Sequence, residues 1–298
     1  MHTKHLVIGS LVLAASGSAL ANPKFEYGKA EEVAKVEGVE WNAAAEAGVV
    51  FTTGNSETTT VTGGIKAARK TGKNKLAFDG SLTYARSALR VMNDLNDDGM
   101  INNDEEITTV RSTTAETLAG KLRYDRFLTE FNSLFVAALG SRDIPAGKDL
   151  VVGGQIGYSR RLHKSERAEA VGEFGYDFSY EDLTSGTTNE IHSARAFIGF
   201  KAEMTEGATV DSSIEALTNL NSYALPTKDA GFAEDTRINV RAAISAKIGK
   251  NLAFQTAIEA KYDNRPAPLS IANLAPDFVP ESSKLDTVMK ASLIYTIF

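Results

Sequence analysis

From residue 41 onward, apolar and polar side chains alternate with a period of two. The clearest stretch is 168–182. One parity carries Ala168, Ala170, Gly172, Phe174, Tyr176, Phe178 and Tyr180, and the other carries Glu169, Val171, Glu173, Gly175, Asp177, Ser179 and Glu181. Successive side chains of a strand point to opposite faces, so this spacing predicts a strand with one aromatic and one acidic face. Residues 236–248 repeat the pattern, with Ile238, Val240, Ile244 and Ile248 opposite Arg237, Asn239, Arg241 and Lys247. In 252–263, Phe254, Ile258 and Tyr262 oppose Gln255, Glu259, Lys261 and Asp263. About twelve such segments are predicted: 41–53, 58–70, 75–86, 109–125, 130–140, 149–162, 168–181, 191–203, 208–219, 236–248, 252–263 and 285–298.

The connections between them alternate in length. Tight turns are expected at 70–74, 126–129, 163–166, 205–207 and 249–251, and longer loops at 87–108, 141–148, 182–190, 220–235 and 264–284. The connection at 54–57 is short although it falls on the long-loop side. Short turns on one rim and long loops on the other belong to bacterial outer-membrane barrels, and an even strand count returns both termini to the short-turn side. The apolar parity is poor in Leu and rich in Ala and Gly, with aromatics such as Trp41, Tyr84, Tyr124, Tyr158, Tyr180, Tyr262 and Tyr295 near strand ends. Rings at those heights suit the two membrane interfaces. The expected fold is all-β: a closed antiparallel transmembrane β-barrel of about 12 strands, its apolar faces toward lipid and its charged faces lining the lumen. The alternative is a soluble periplasmic barrel that turns the apolar face inward around an apolar ligand.

Composition narrows the classes. No apolar run in the body of the chain is long enough for a membrane helix. A formal charge of −6 argues against a nucleic-acid partner. Cysteine is absent, which removes disulfides and thiol chemistry. At the N-terminus, Lys4 precedes a short apolar core, and Ala19-Leu20-Ala21 fits a small-x-small cleavage site. Residues 1–21 are therefore expected to be a signal peptide, 22–40 a periplasmic N-terminal segment and 41–298 the barrel. Outer-membrane lipid and the outer-membrane assembly machinery are the expected partners. Phe298 gives the terminal aromatic that such machinery reads, but Thr296 stands where a second aromatic is usual.

Several segments carry a family resemblance: 47–58 with its Gly54-Asn55-Ser56 turn, Arg123-Tyr124-Asp125-Arg126-Phe127, and Gly154-Gln155-Ile156-Gly157-Tyr158. Over roughly 41–298 the chain resembles the salt-induced outer-membrane proteins, a family otherwise of unknown function. The resemblance implies an outer-membrane barrel and no established activity. Residues 91–107 are an insertion relative to that pattern.

That insertion holds the sharpest local motif. Residues 94–105 match the twelve-residue EF-hand calcium loop. Asp94, Asn96 and Asp98 would supply side-chain oxygens, and Met100 a backbone carbonyl. Asn102 would hold a bridging water, and Glu105 would close the site with two oxygens. Gly99 permits the sharp turn, and Ile101 is the expected apolar residue. Strands flank the loop instead of helices, so a structural Ca2+ clip in an external loop is expected, and not a sensor.

The remaining chemistry is thin. Glu46, Lys66, Asp79, Lys121, Arg123, Arg161, Arg195, Lys201, Asp211, Glu215 and Lys247 fall on the polar parity with the residues above. Both signs occur without a single-sign ring, which favours an ion-paired, closed lumen over an open pore for small solutes or ions. An outer-membrane lipid hydrolase needs a serine two residues from a histidine. His192 has Ala194 at that spacing, and Ser193 falls on the opposite face. No enzymatic activity is expected.

Overall fold

A computed structural model describes residues 38–52, 57–92, 107–144, 146–225, 229–266 and 283–297, with side chains at 50–52, 89–92 and 107 left aside. The signal peptide, most of the N-terminal segment, Phe298 and the calcium-type loop, including Asp94, Asn96, Asp98, Met100, Asn102 and Glu105, lie outside these residues.

Twelve strands form one closed antiparallel barrel in which each strand pairs with its sequence neighbours. They are β1 (Val39–Thr52), β2 (Glu57–Thr71), β3 (Asn74–Met92), β4 (Ile107–Phe127), β5 (Asn132–Asp143), β6 (Lys148–Lys164), β7 (Ala168–Leu183), β8 (Thr188–Thr205), β9 (Ala208–Asn219), β10 (Thr236–Lys247), β11 (Leu252–Asp263) and β12 (Leu285–Thr296). The barrel closes where Ala44–Ala47 of β1 meets Leu293–Thr296 of β12.

Parity decides the faces as expected. On β7, Phe174 is 64% exposed on the outer surface while its neighbour Glu173 is 5% exposed inside. Ile156, Ile198, Ile214 and Ile244 also face outward. An exterior of this kind is stable only against lipid, and a closed ladder pairs the backbone groups that lipid cannot hydrate. The charged interior removes the soluble alternative with an apolar lumen. Opposite charges lie directly across neighbouring strands, Arg241 against Glu259 and Asp79 against both Lys66 and Lys121, which helps to fix the register.

At the lower rim the turns are tight. Gly72 and Gly207 take positive φ of 51° and 93°, which L side chains adopt only with strain. The upper rim differs from the expectation. The 141–148 and 182–190 loops contract to four-residue connections, 144–147 and 184–187, because β5 to β8 run further than the alternation indicated. The 87–108 loop also shortens, because β3 and β4 stay paired out to Met92 and Ile107. A bulge between the Ala85–Ala115 and Arg86–Thr113 pairs slips the register by one residue. Ala85 and Ala88, three apart, are consequently both buried, and the period-two signal fails there. Since β5 ends opposite Thr117, the β3–β4 hairpin, paired out to Met92 and Ile107, projects past it. Tyr84, opposite Glu116, lies just above that level.

Candidate functional site

The lumen is divided. Toward β4–β9 it is filled by a chain of ion pairs built on alternate residues. Arg123 holds Asp125 and Glu173, each at 2.7 Å. Glu173 reaches Arg195 at 2.9 Å, and Arg195 reaches Glu215 at 2.6 Å. The Arg123 guanidinium lies over the Phe135 ring at 4.0 Å. Phe135 fits because Gly157 stands directly opposite on β6, where a Cβ would come within 2.7 Å of the ring. Lys121 donates to Gln155 at 3.0 Å, and Gln155 donates to Asp177 at 2.9 Å. Two of the segments that carry the family resemblance, Arg123 to Phe127 and Gly154 to Tyr158, therefore meet in this layer.

The rest of the lumen holds a cavity. It lies beside this layer, has a volume of about 640 Å³ and is lined by residues of all twelve strands, with small residues such as Gly63, Gly64, Gly80 and Ser81 on the β2–β3 wall. Its lining reaches Lys70, Lys75, Lys247 and Thr296 at the lower rim and Ser141, Lys148, Glu181 and Arg237 at the upper. The ion pairing expected from the mixed charges is present in the first layer, and a cavity remains beside it. The charges of Arg123, Asp125, Glu173, Arg195 and Glu215 pair with one another, and the space beside the small residues of β2 and β3 is left unfilled.

At the upper end the β9–β10 connection turns inward. Asn219, fully buried, donates through Nδ2 to the carbonyls of Asn221 and Gly231 at 2.7 Å each. Tyr223 bridges to Ala230 through paired backbone bonds and donates its hydroxyl to Asp235 at 2.8 Å. Leu225 packs on Leu183. Beneath them Glu181 joins Lys148 at 3.1 Å and Arg237 at 3.3 Å. Burial pushes the Asp235 carboxyl above the usual carboxylate range, aided by repulsion from Asp263 and opposed by Arg237. Burial likewise raises the Tyr223 hydroxyl, with Asp235 adding to the shift. This inward segment, Phe135, and the lower-rim lysines Lys70 and Lys75 are what sequence reading missed. Parity locates strand faces, but a loop that folds back into the barrel leaves no periodic signal.

Of the predicted polar-face residues, Glu46, Lys66, Asp79, Lys201, Asp211 and Lys247 line the cavity. Arg123 and Glu173 belong to the ion-pair layer, and Arg161 pairs separately with Glu169 at 2.8 Å. Ser193 is fully buried in the lumen and accepts a hydrogen bond from Arg237, while His192 stands on the outer face bonded to Tyr176. The two cannot form a hydrolytic pair. Among the described residues, no three His, Asp or Glu side chains are grouped to hold a metal.

Fold and lumen define a lipid-embedded β-barrel with a charged interior that holds a cavity. The chain belongs to the family described as "Protein of unknown function, DUF481", whose model matches residues 45–297. No curated protein matches it in sequence. Among solved structures it is similar to the NanC porin, at TM-score 0.44 and 8% identity over 86% of this chain and 100% of that one. It is also similar to an anion-selective porin from Comamonas acidovorans, at TM-score 0.36 and 9% identity over 87% and 97% of the two chains. A third is the translocator domain of autotransporter NalP from Neisseria meningitidis, at TM-score 0.36 and 12% identity over 90% and 91%.

Proposed function

We propose that this protein is a narrow diffusion channel of the bacterial outer membrane, with its short turns in the periplasm and its longer connections outside. The observation that carries this reading is a cavity whose lining reaches both rims. The β9–β10 segment narrows its outer end. Interiors of this kind pass small solutes at rates set by bore and charge. On this reading β12 is the strand that the assembly machinery engages. The test is a planar-bilayer recording of the purified, heat-modifiable protein. Discrete conductance steps are expected, and a silent bilayer ends the channel reading. A link to salt is tested by the protein's abundance at raised external salt.

The 94–105 loop supports a second element of the proposal, a structural Ca2+ clip held by Asp94, Asn96, Asp98, Met100, Asn102 and Glu105. The spacing supports it, as does a β3–β4 hairpin that stays paired to Met92 and Ile107, beyond the end of β5. Millimolar external calcium is enough for a weak site of this type.

A further inference from the structure

Basic side chains are not spread evenly along the cavity. Ten lysines and arginines line it against seven carboxylates, in a chain whose net charge is −6. Toward the upper rim and the middle, the basic groups are answered. Lys148 and Arg237 share Glu181, Arg241 meets Asp211 and Glu259, and Lys290 meets Glu259 at 2.7 Å. The lower mouth is different. Within four positions of the lower strand ends, Lys70, Lys75, Lys201 and Lys247 line the cavity, and Asp211 is the carboxylate of the lining at that level. Lys70 and Lys75 have partners of their own, and Lys201 stands in register between Glu169 on β7 and Asp211 on β9. Asp211 is bonded to Arg241. The side chains of Lys201 and Lys247, both solvent-exposed, hold no hydrogen bond or ion pair among the described residues. They project from β8 and β10, so two ammonium groups face the water of the mouth from one wall.

We propose that the lumen selects small anions over cations, and that Lys201 and Lys247 determine this selectivity at its lower, periplasmic mouth. The inference rests on the channel reading above and adds the substrate class. A single ammonium about 6 Å from a passing ion across water favours an anion by about threefold and disfavours a cation by the same factor. The effect weakens as salt rises, because the screening length at 0.1 M is only about 10 Å.

The experiment is the reversal potential in planar bilayers under a tenfold KCl gradient. It compares wild type, Lys201→Glu/Lys247→Glu, the single Lys247→Gln and a control, Lys250→Glu. Lys250 sits in a lower-rim turn off the cavity lining. Wild type is expected to pass chloride in preference to potassium, and Lys250→Glu to do the same. The double variant should shift the chloride-to-potassium ratio toward potassium by about tenfold or more, and Lys247→Gln should shift it the same way by less. Both lysines are exposed, so the variants should keep the heat-modifiable migration of the folded barrel. If the double variant does not fold, Lys247→Gln and the wild-type ratio still decide the matter. A wild-type ratio at or below one overturns the proposal, and so does a ratio that neither lysine variant moves. A silent wild-type bilayer removes the channel itself, which is a different failure from an open channel without anion preference.

Discussion

Arg123 on β4 reaches across the lumen to Glu173 on β7, three strands away, with both side chains almost wholly shielded. Glu173 also binds Arg195, so one carboxylate joins two guanidiniums. Removing one partner of a buried pair leaves charge without compensation, at about 3–5 kcal/mol. Glu173→Ala is therefore expected to lower the unfolding free energy in phospholipid vesicles by that order. Glu173→Asp should lower it less. Equal unfolding midpoints for wild type and Glu173→Ala would show that the layer contributes nothing to stability.

The outer face should be intolerant of charge. Ile214 is 53% exposed near the middle of β9, and its neighbour Ser213 lines the cavity. An arginine facing lipid near the midplane costs about 2–4 kcal/mol. Ile214→Arg is expected to fold poorly into vesicles, and Ser213→Arg to fold well. Equal yields for both, read by heat-modifiable gel migration, would contradict the assignment of the faces.

The inward β9–β10 segment should set the bore. Tyr223→Ala removes the hydroxyl that holds Asp235, and single-channel conductance is expected to rise. An unchanged conductance would place the constriction elsewhere. Asp235 also gives the closure a pH dependence. Its pKa is raised when the segment is docked, so the docked form binds the proton more tightly than an undocked one. Docking therefore strengthens as pH falls through the raised value toward the ordinary carboxylate pKa of about 3.9. It weakens above that window, where the charged carboxylate meets Asp263. Conductance should fall on acidification across this range, and Asp235→Asn should flatten the response.

Calcium should bind the 94–105 loop. Calorimetric titration of the refolded barrel is expected to show one site filled at millimolar calcium or below. Asp94→Ala and Glu105→Ala should each abolish the heat. No heat from wild type at millimolar calcium would end the calcium reading.

Much of the fold was legible because strand parity is a local property. The alternation in 168–182 assigned Phe174 to one face and Glu173 to the other, and the pairing agrees residue by residue. The signal failed where local geometry changed. The bulge beside Ala85 broke the period, and two upper connections expected to be long, 144–147 and 184–187, are only four residues long. Phe135 was hidden because it is an aromatic on the charged face, accommodated only by the glycine across from it.

By itself, then, the sequence determined a closed barrel of twelve strands, which side chains face lipid and which face the lumen, and that both signs of charge lie inside. Each follows from a repeat of two along a single strand. Tertiary structure alone decided that Glu173 meets Arg123 and Arg195, that a cavity remains beside them, and that Tyr223 closes down on Asp235. Partners across a barrel depend on the tilt and stagger summed over all its strands, and no single stretch of sequence contains that sum.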